Sequence, residues 1–179
     1  MVKNLKSIGN SAFFHCSGLR NIVIPDSVES VGEYAFYYCY GLESLVLSSG
    51  MNTIQQGAFS YCERLESVKI PGSITSIYTN GAHAAFYNCT HLNDVSYCGT
   101  SNLWESSVKD KGPFDKCTML NEVKVLGSYE GGEYFCGVKR VKSLTSEDEC
   151  RAEAINEGNC GDNIKYKFLK NEGILEINS

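Results

Sequence analysis

The sequence predicts an α/β solenoid, a fold in which short units that share one sequence pattern stack along an axis. Two observations predict it. A motif that contains Phe and Cys recurs five times in the first 126 residues, with its cysteines 23, 23, 27 and 28 residues apart, and each copy is followed by alternating apolar residues. A unit of this length cannot enclose its own core, so each copy must bury its apolar side chains against its neighbours.

Each copy of the motif has the form Ala-Phe-x-x-Cys-x-x-Leu, and only the fifth replaces the Ala, with Pro113. The third and fifth residues after each Leu are apolar, as in Ile22 and Ile24 of the first copy. This period of two predicts a short strand with one buried face. A further apolar column precedes each Phe, as in Val28 and Val31 of the second copy.

The fuller pattern, in which Pro25 and Pro71 close two of the strands, resembles the BspA-like (TpLRR) subfamily of leucine-rich repeats. The resemblance covers residues 1–126. It implies short parallel strands on a concave face and short helical, 3-10 or loop segments on a convex face, with the Phe and Cys side chains pointing inward. It also implies a surface or secreted protein that mediates adhesion to host cells, matrix proteins or other microbes.

Two insertions interrupt the period within the array. Residues 78–85, with the turn dipeptide Asn80-Gly81, are expected to bulge from the convex side without disturbing the strands. The second, 98–112, contains the single tryptophan, Trp104. Similar segments occur near the ends of arrays in the family that the chain resembles, so we interpret this one as an array-closing variation.

Beyond the array, 1–126, we predict a C-terminal cap over residues 127–141. The end of a solenoid exposes the core of its last unit, and a cap must cover it. The apolar side chains available for this role are those of Tyr129, Tyr134, Phe135 and Val138.

The remainder of the chain changes character. Residues 142–158 are rich in charge and predict a linker, in which Ser146 and Glu149 can form a capping box for a short helix over about 147–155. Residues 159–179 alternate apolar and polar side chains around a turn, which predicts a β-hairpin. By resemblance this segment opens a second, truncated array, so we interpret the chain as a fragment of a longer surface protein.

The cysteines of the motif form one column, and we expect them to be buried and reduced. Successive strands of a sheet lie about 4.8 Å apart, whereas a disulfide needs Cβ atoms about 3.8 Å apart. Zinc is disfavoured because no pair has the short ligand spacing of a structural site. The column consists of Cys16, Cys39, Cys62, Cys89 and Cys117.

The other four cysteines, Cys98, Cys136, Cys150 and Cys160, lie outside this column. The sequence is compatible with either disulfide bonds or free thiols at these four positions. Among the pairings, Cys136 with Cys150 closes the shortest loop.

Composition and motifs exclude several classes of function. The net charge of −5 is spread evenly, without the basic stripe that attracts nucleic acid. No apolar run approaches the roughly 20 residues of a membrane span. His15 and His91 lie next to the cysteine column but should point away from it, so they provide no Cys–His nucleophile. We expect no enzyme activity, cofactor or metal, and the buried Cys89 makes glycosylation at Asn88-Cys89-Thr90 doubtful.

The sequence therefore predicts a recognition module that binds a protein or glycan, on a host or neighbouring cell, through the outward positions of its strands. An equally open interpretation is a solvated strand face on a spacer or an intracellular scaffold. The candidate binding residues form three columns along the sheet: Arg20, Glu43, Glu66, Asn93 and Asn121; Asn21, Ser44, Ser67, Asp94 and Glu122; Val23, Val46, Lys69, Ser96 and Lys124. A second candidate surface comprises Tyr34, Tyr37, Tyr38, Tyr40, Tyr61 and Tyr87.

Overall fold

A computed structural model describes residues 5–101, 103 and 112–144, together with the backbone of 156–160, 164–169 and 174–178. Most of its regular structure is short β-strand, and the described residues contain no α-helix. In chain order the strands are β1 (Ser7–Ile8), β2 (Asn21–Val23), β3 (Ser30–Val31), β4 (Ser44–Val46), β5 (Thr53–Ile54), β6 (Ser67–Ile70), β7 (Ser76–Ile77), β8 (Asp94–Tyr97), β9 (Glu122–Leu126), β10 (Tyr134–Phe135), β11 (Val138–Leu144), β12 (Asn156–Cys160), β13 (Ile164–Leu169) and β14 (Ile174–Asn178).

The principal sheet has seven strands in the order β10-β11-β9-β8-β6-β4-β2. All neighbours in it are parallel except β10, which pairs antiparallel with β11. Each motif contributes one strand at the same register, so that Ile22 lies beside Leu45 and Leu45 beside Val68. The repeat prediction is confirmed: the apolar positions of successive coils meet in one core.

The other side of each coil is a layer of turns, which we call the turn layer. It contains the short parallel pairs β1–β3 and β5–β7 and two 3-10 helices, Gly81–His83 and Gly112–Phe114. The first of these lies in the predicted insertion and exposes all three residues. The register of β6 with β8 continues past it, as expected for a bulge outside the strands. Trp104 lies outside the described residues.

A stack of phenylalanine rings fills the space between the two layers. Rings of neighbouring coils lie 4.9 to 5.4 Å apart and within 18° of parallel, an offset-stacked arrangement that stabilises aromatic pairs. Their backbones continue the register, since each Phe N–H donates to the carbonyl before the Phe of the next coil, from Phe13 to Ala35 at 2.7 Å through Phe86 to Pro113 at 2.9 Å.

The region predicted as a cap covers the last coil and also extends the sheet. Tyr129, Phe135 and Val138 are buried as predicted, whereas Tyr134 is exposed. The Phe135 ring lies 4.6 Å from that of Tyr97. Strand β11 pairs parallel with β9, which makes it a further strand of the principal sheet.

The segment predicted as a linker, 142–158, is described only at its ends, where residues 142–144 belong to β11 and 156–158 to β12. The option of a helix over 147–155 falls outside the described residues. Over the predicted hairpin, β13 and β14 pair antiparallel, and β12 adds a third strand to this separate sheet.

Candidate functional site

The outward positions of the strands form continuous columns on one side of the principal sheet, which we call the sheet face. Strand register places Asn21, Ser44, Ser67 and Asp94 side by side. A second column consists of Val23, Val46, Lys69, Ser96 and Lys124.

The third column of candidate residues immediately precedes the strands and is held by the same backbone ladder. Glu43 N–H donates to the carbonyl of Arg20 at 2.6 Å, and Glu66 N–H donates to that of Glu43 at 2.8 Å. The structure thus brings the predicted binding residues together on one surface.

All of these candidate residues except Ser96 are at least partly exposed. Ser96 is only 7% exposed, so it offers little surface to a partner. It is a short side chain between Lys69 and Lys124 in its column. A partner at this point would contact the lysines.

Ion pairs fix two parts of the sheet face. Arg20 pairs with Glu43 at 2.6 Å, and Lys124 with Asp94 at 2.8 Å. All four side chains are substantially exposed, and exposed pairs of this kind contribute about 0–1 kcal/mol to stability. Their main consequence is to orient charged groups on the surface.

Sequence reasoning missed the contribution of β11 to this face. Lys139 lies beside Glu122, and Val141 beside Lys124. The segment lacks the Phe-Cys motif, and its two valines, Val138 and Val141, are three residues apart and so do not show the period of a strand. The face is therefore one strand wider than the motif predicts.

The six tyrosines named above form a second feature, in the turn layer, which we call the tyrosine surface. Their rings are partly exposed and contact one another across coils: Tyr37 lies 5.3 Å from Tyr61, and Tyr61 lies 5.5 Å from Tyr87. Phe14, which is 49% exposed, stacks on Tyr37 at 5.8 Å. The aromatic rings thus cover four successive coils without a break.

Three hydroxyls of the tyrosine surface, those of Tyr37, Tyr40 and Tyr61, have a raised pKa. Burial, followed by the neighbouring Tyr38, raises the pKa of Tyr37 far above its usual value. Burial also raises the pKa of Tyr40 and of Tyr61, with smaller contributions from neighbouring phenols and from the Glu63 carboxylate. These groups therefore remain available as neutral hydrogen-bond donors and acceptors.

Four members of the cysteine column, Cys39, Cys62, Cys89 and Cys117, are buried free thiols, as predicted. Each thiol donates to the carbonyl of the Phe in the preceding coil, from 3.1 Å for Cys39 to 3.3 Å for Cys62. Burial raises the pKa of Cys39 to about 12. A buried protonated thiol is a poor nucleophile and metal ligand.

Cys16 departs from the prediction for its column, because it is disulfide-bonded although buried. It lies in the first described coil, at the start of the column. Outside the column, Cys98 is also disulfide-bonded. Cys136 is a buried free thiol, which is one of the two alternatives left open for it.

The histidines beside the column are exposed, as predicted. His91 places Nδ1 2.7 Å from the carbonyl oxygen of Glu63, away from the buried thiols. Among the described residues, no three His, Cys, Asp or Glu side chains are arranged to hold a metal ion. Over the same residues, no helix has the length and apolar character needed to cross a membrane.

Solved structures with the same architecture come from two bacteria. A leucine-rich cell surface protein of Faecalibacterium prausnitzii is 26% identical, with a TM-score of 0.60 over 81% of this chain and 35% of that one. The Treponema pallidum leucine-rich repeat protein is 25% identical, with a TM-score of 0.52 over 67% of this chain and 52% of that one. The chain therefore spans only part of the length of either relative.

No curated protein sequence matches the chain. The model of the BspA type leucine-rich repeat region matches residues 1–121 with six copies, one more than the number of Phe-Cys motifs. The match covers more than half of the chain, and the coil register, the phenylalanine stack and the turn layer are the structure that such repeats form. The chain therefore belongs to the BspA type leucine-rich repeat family.

Proposed function

We propose that this protein is a non-enzymatic recognition module that binds a protein or glycan partner through its sheet face and acts in adhesion at a cell surface. The sheet face carries the proposal: it presents aligned, partly exposed side chains from six parallel strands. Leucine-rich repeat domains generally bind proteins, and a structural relative is described as a cell surface protein.

The chemistry of the sheet face favours a polar macromolecular surface as its ligand. Its charges are of both signs, and its ion pairs hold Arg20 and Lys124 close to carboxylates. Such a mixture lacks the uniform positive potential that phosphate backbones require. Val23 and Val46 add an apolar strip at one end, which suits the mixed polar and apolar character of protein interfaces.

The non-enzymatic part of the proposal has a separate basis in the thiols and histidines. A Cys–His nucleophile needs the two groups within hydrogen-bond reach. Here burial keeps the pKa of the Cys62 and Cys89 thiols well above their usual value, while the neighbouring histidines face solvent. Proteins of this repeat family also generally lack catalytic activity.

The experiment is a binding screen of the purified chain against immobilised extracellular-matrix proteins and a glycan array. The chain is compared with a variant that reverses three sheet-face charges, Glu43→Lys, Glu66→Lys and Lys69→Glu. Its matched control is Glu29→Lys, which breaks the exposed Lys6–Glu29 pair in the turn layer.

We expect the triple variant to lose at least about tenfold in affinity for any ligand found, because charge reversal across an interface costs more than one kcal/mol. The control should bind as the parent does. Equal binding by the parent and the triple variant would place the site elsewhere. A surface location predicts in addition that the native protein is cleaved by protease added to intact cells.

A further inference from the structure

The tyrosine surface is built at a cost in backbone energy. Tyr34, Tyr38 and Tyr61 have φ of 55°, 62° and 58°. This left-handed region costs an L-residue about 1–2 kcal/mol and favours Gly or Asn. The fourth coil places Asn88 at the position of Tyr38 and Tyr61, so the backbone itself does not require tyrosine there.

Ring packing offsets part of that cost but does not bury the rings. Tyr38 lies 4.4 Å from Tyr37 and 4.8 Å from Tyr61, and such pairs stabilise by about 0.5–1.5 kcal/mol each. The same rings remain partly exposed. Large aromatic side chains held at a surface by contacts with one another point to a role in contact with a partner.

A carboxylate at this surface indicates the charge of that partner. Glu63 follows Cys62 and affects the titration of both Tyr40 and Tyr61. Within the described part of the chain, its Oε1 accepts one hydrogen bond, a long one from Asn88 Nδ2 at 3.4 Å. Among the described residues, Glu63 forms no ion pair with Lys or Arg. Tyrosine faces beside an uncompensated carboxylate attract cations.

We propose that the tyrosine surface is a second docking surface, separate from the sheet face, and that it binds an arginine-bearing cationic segment of a partner protein. A guanidinium group stacks on an aromatic face and also donates in a planar fork to a carboxylate. The stacked pair of Tyr38 and Tyr40, 5.4 Å apart, and the ring of Tyr61 supply the aromatic surface, and Glu63 supplies the acceptor.

The test uses the full chain and a fluorescent ten-residue arginine peptide, with binding followed by fluorescence anisotropy. The first variant is Tyr38→Asn with Tyr61→Asn, which removes two rings and introduces the residue that the fourth coil carries. The second is Glu63→Gln, which leaves the rings and backbone in place if the first variant unfolds. The control, Glu133→Gln, removes an exposed carboxylate from the region after the last repeat.

We expect the double variant to weaken binding on the order of tenfold and Glu63→Gln several-fold, with the control unchanged. A ten-residue lysine peptide should bind more weakly than the arginine peptide. The sheet-face triple variant should bind the arginine peptide as the parent does, which separates this proposal from the proposed function.

Several results would overturn the proposal. The arginine peptide could fail to bind, or could bind the parent and both variants equally. Equal affinity for the lysine peptide would indicate attraction by net charge alone. Selective binding of a neutral oligosaccharide such as maltoheptaose, or self-association in sedimentation velocity that the double variant abolishes, would assign the surface to a different occupant.

Discussion

The cysteine column shows that a side chain can recur in every repeat because of its packing and hydrogen bonding, without taking part in a reaction. The Cys62 thiol donates to the Phe36 carbonyl of the preceding coil at 3.3 Å, a weak but repeated contact. The same carbonyl accepts the N–H of Cys39 within its own coil, also at 3.3 Å. Cysteine satisfies both requirements of the position, since it is small and apolar and can donate weakly.

The first prediction concerns this thiol. Cys62→Ala should lower the free energy of unfolding by about 1–2 kcal/mol, because it leaves a small cavity and removes the inter-coil contact. Urea denaturation with far-ultraviolet circular dichroism measures the change. Arg64→Ala, at an exposed neighbouring position, should change the value by less than about 0.5 kcal/mol. A loss no larger than that of the Arg64 control would mean that the position tolerates any small residue.

The second prediction concerns the residue before each cysteine of the column, where a substitution should raise the free energy of unfolding. Lys116 is exposed and has φ of 62°. Lys116→Asn places a residue that tolerates this region there, as Asn88 does in the preceding coil, and should raise the free energy of unfolding by about 0.5–1 kcal/mol. Lys139→Asn is the control, because it lies in a strand where Asn gains nothing. A lower melting temperature for Lys116→Asn than for the parent would contradict the argument that the positive φ at this position favours Asn over Lys.

Residue-scale prediction from the sequence succeeded for most members of each column and failed where one member has different surroundings from the rest. Burial of Cys39, Cys62 and Cys89 follows from spacing alone, because each has a coil with the same motif on both sides. Cys16 has the same motif but is disulfide-bonded, and Ser96 has a surface position but is buried. Both outcomes depend on neighbours that the local pattern does not contain.

At the scale of elements, the structure joins the last coil to a strand that carries no motif. Strand β11 extends the sheet and brings with it β10, whose Phe135 packs against Tyr97 and Tyr129 at ring distances of 4.6 and 6.2 Å. The Arg140 guanidinium lies 5.4 Å from the Tyr129 ring. The sequence predicted apolar cover for the last coil, but the parallel pairing of β11 depends on main-chain hydrogen bonds that any residue except proline can form.

A third prediction tests this cover with two adjacent residues of β10. Phe135 is fully buried and Tyr134 is 52% exposed, because successive side chains of a strand point to opposite faces. Phe135→Ala should cost about 3–5 kcal/mol, and Tyr134→Ala less than about 1 kcal/mol. Chemical denaturation of both variants provides the comparison. Similar losses for both variants would show that β10 does not pack on the last coil.

At the scale of the whole molecule, the core is a single continuous stack, and its buried acids are coupled to folding. Burial raises the pKa of Cys39 and Cys136 to about 12, from an ordinary value of 9.0. It raises that of Tyr97 to about 12 from 10.0, and the Tyr97 hydroxyl is buried without a hydrogen-bond partner among the described residues. The native state holds these protons more tightly than the unfolded chain does.

The last prediction follows from the sign of these shifts. Below about pH 9 both states are protonated and the stability is fully present. As the pH rises towards 12, from 9 for the two thiols and from 10 for Tyr97, the unfolded chain releases protons that the native state retains. The free energy of unfolding therefore falls by about 1.4 kcal/mol per pH unit for each group within its window. Urea midpoints measured from pH 7 to pH 11 should therefore stay level and then decline.

The Cys62→Ala variant tests how much the cysteine column contributes to the pH dependence of the free energy of unfolding. Burial raises the pKa of Cys62 well above 9.0, so removal of this thiol should reduce the alkaline slope as well as the stability at neutral pH. At pH values where the urea-unfolded chain shows thiolate absorbance, the folded parent should show less of it, because burial raises the pKa of Cys39, Cys62 and Cys89. Titration of these thiols near pH 9 in the folded protein would mean that the cysteine column is open to solvent. A fall in the free energy of unfolding at alkaline pH would then need another cause.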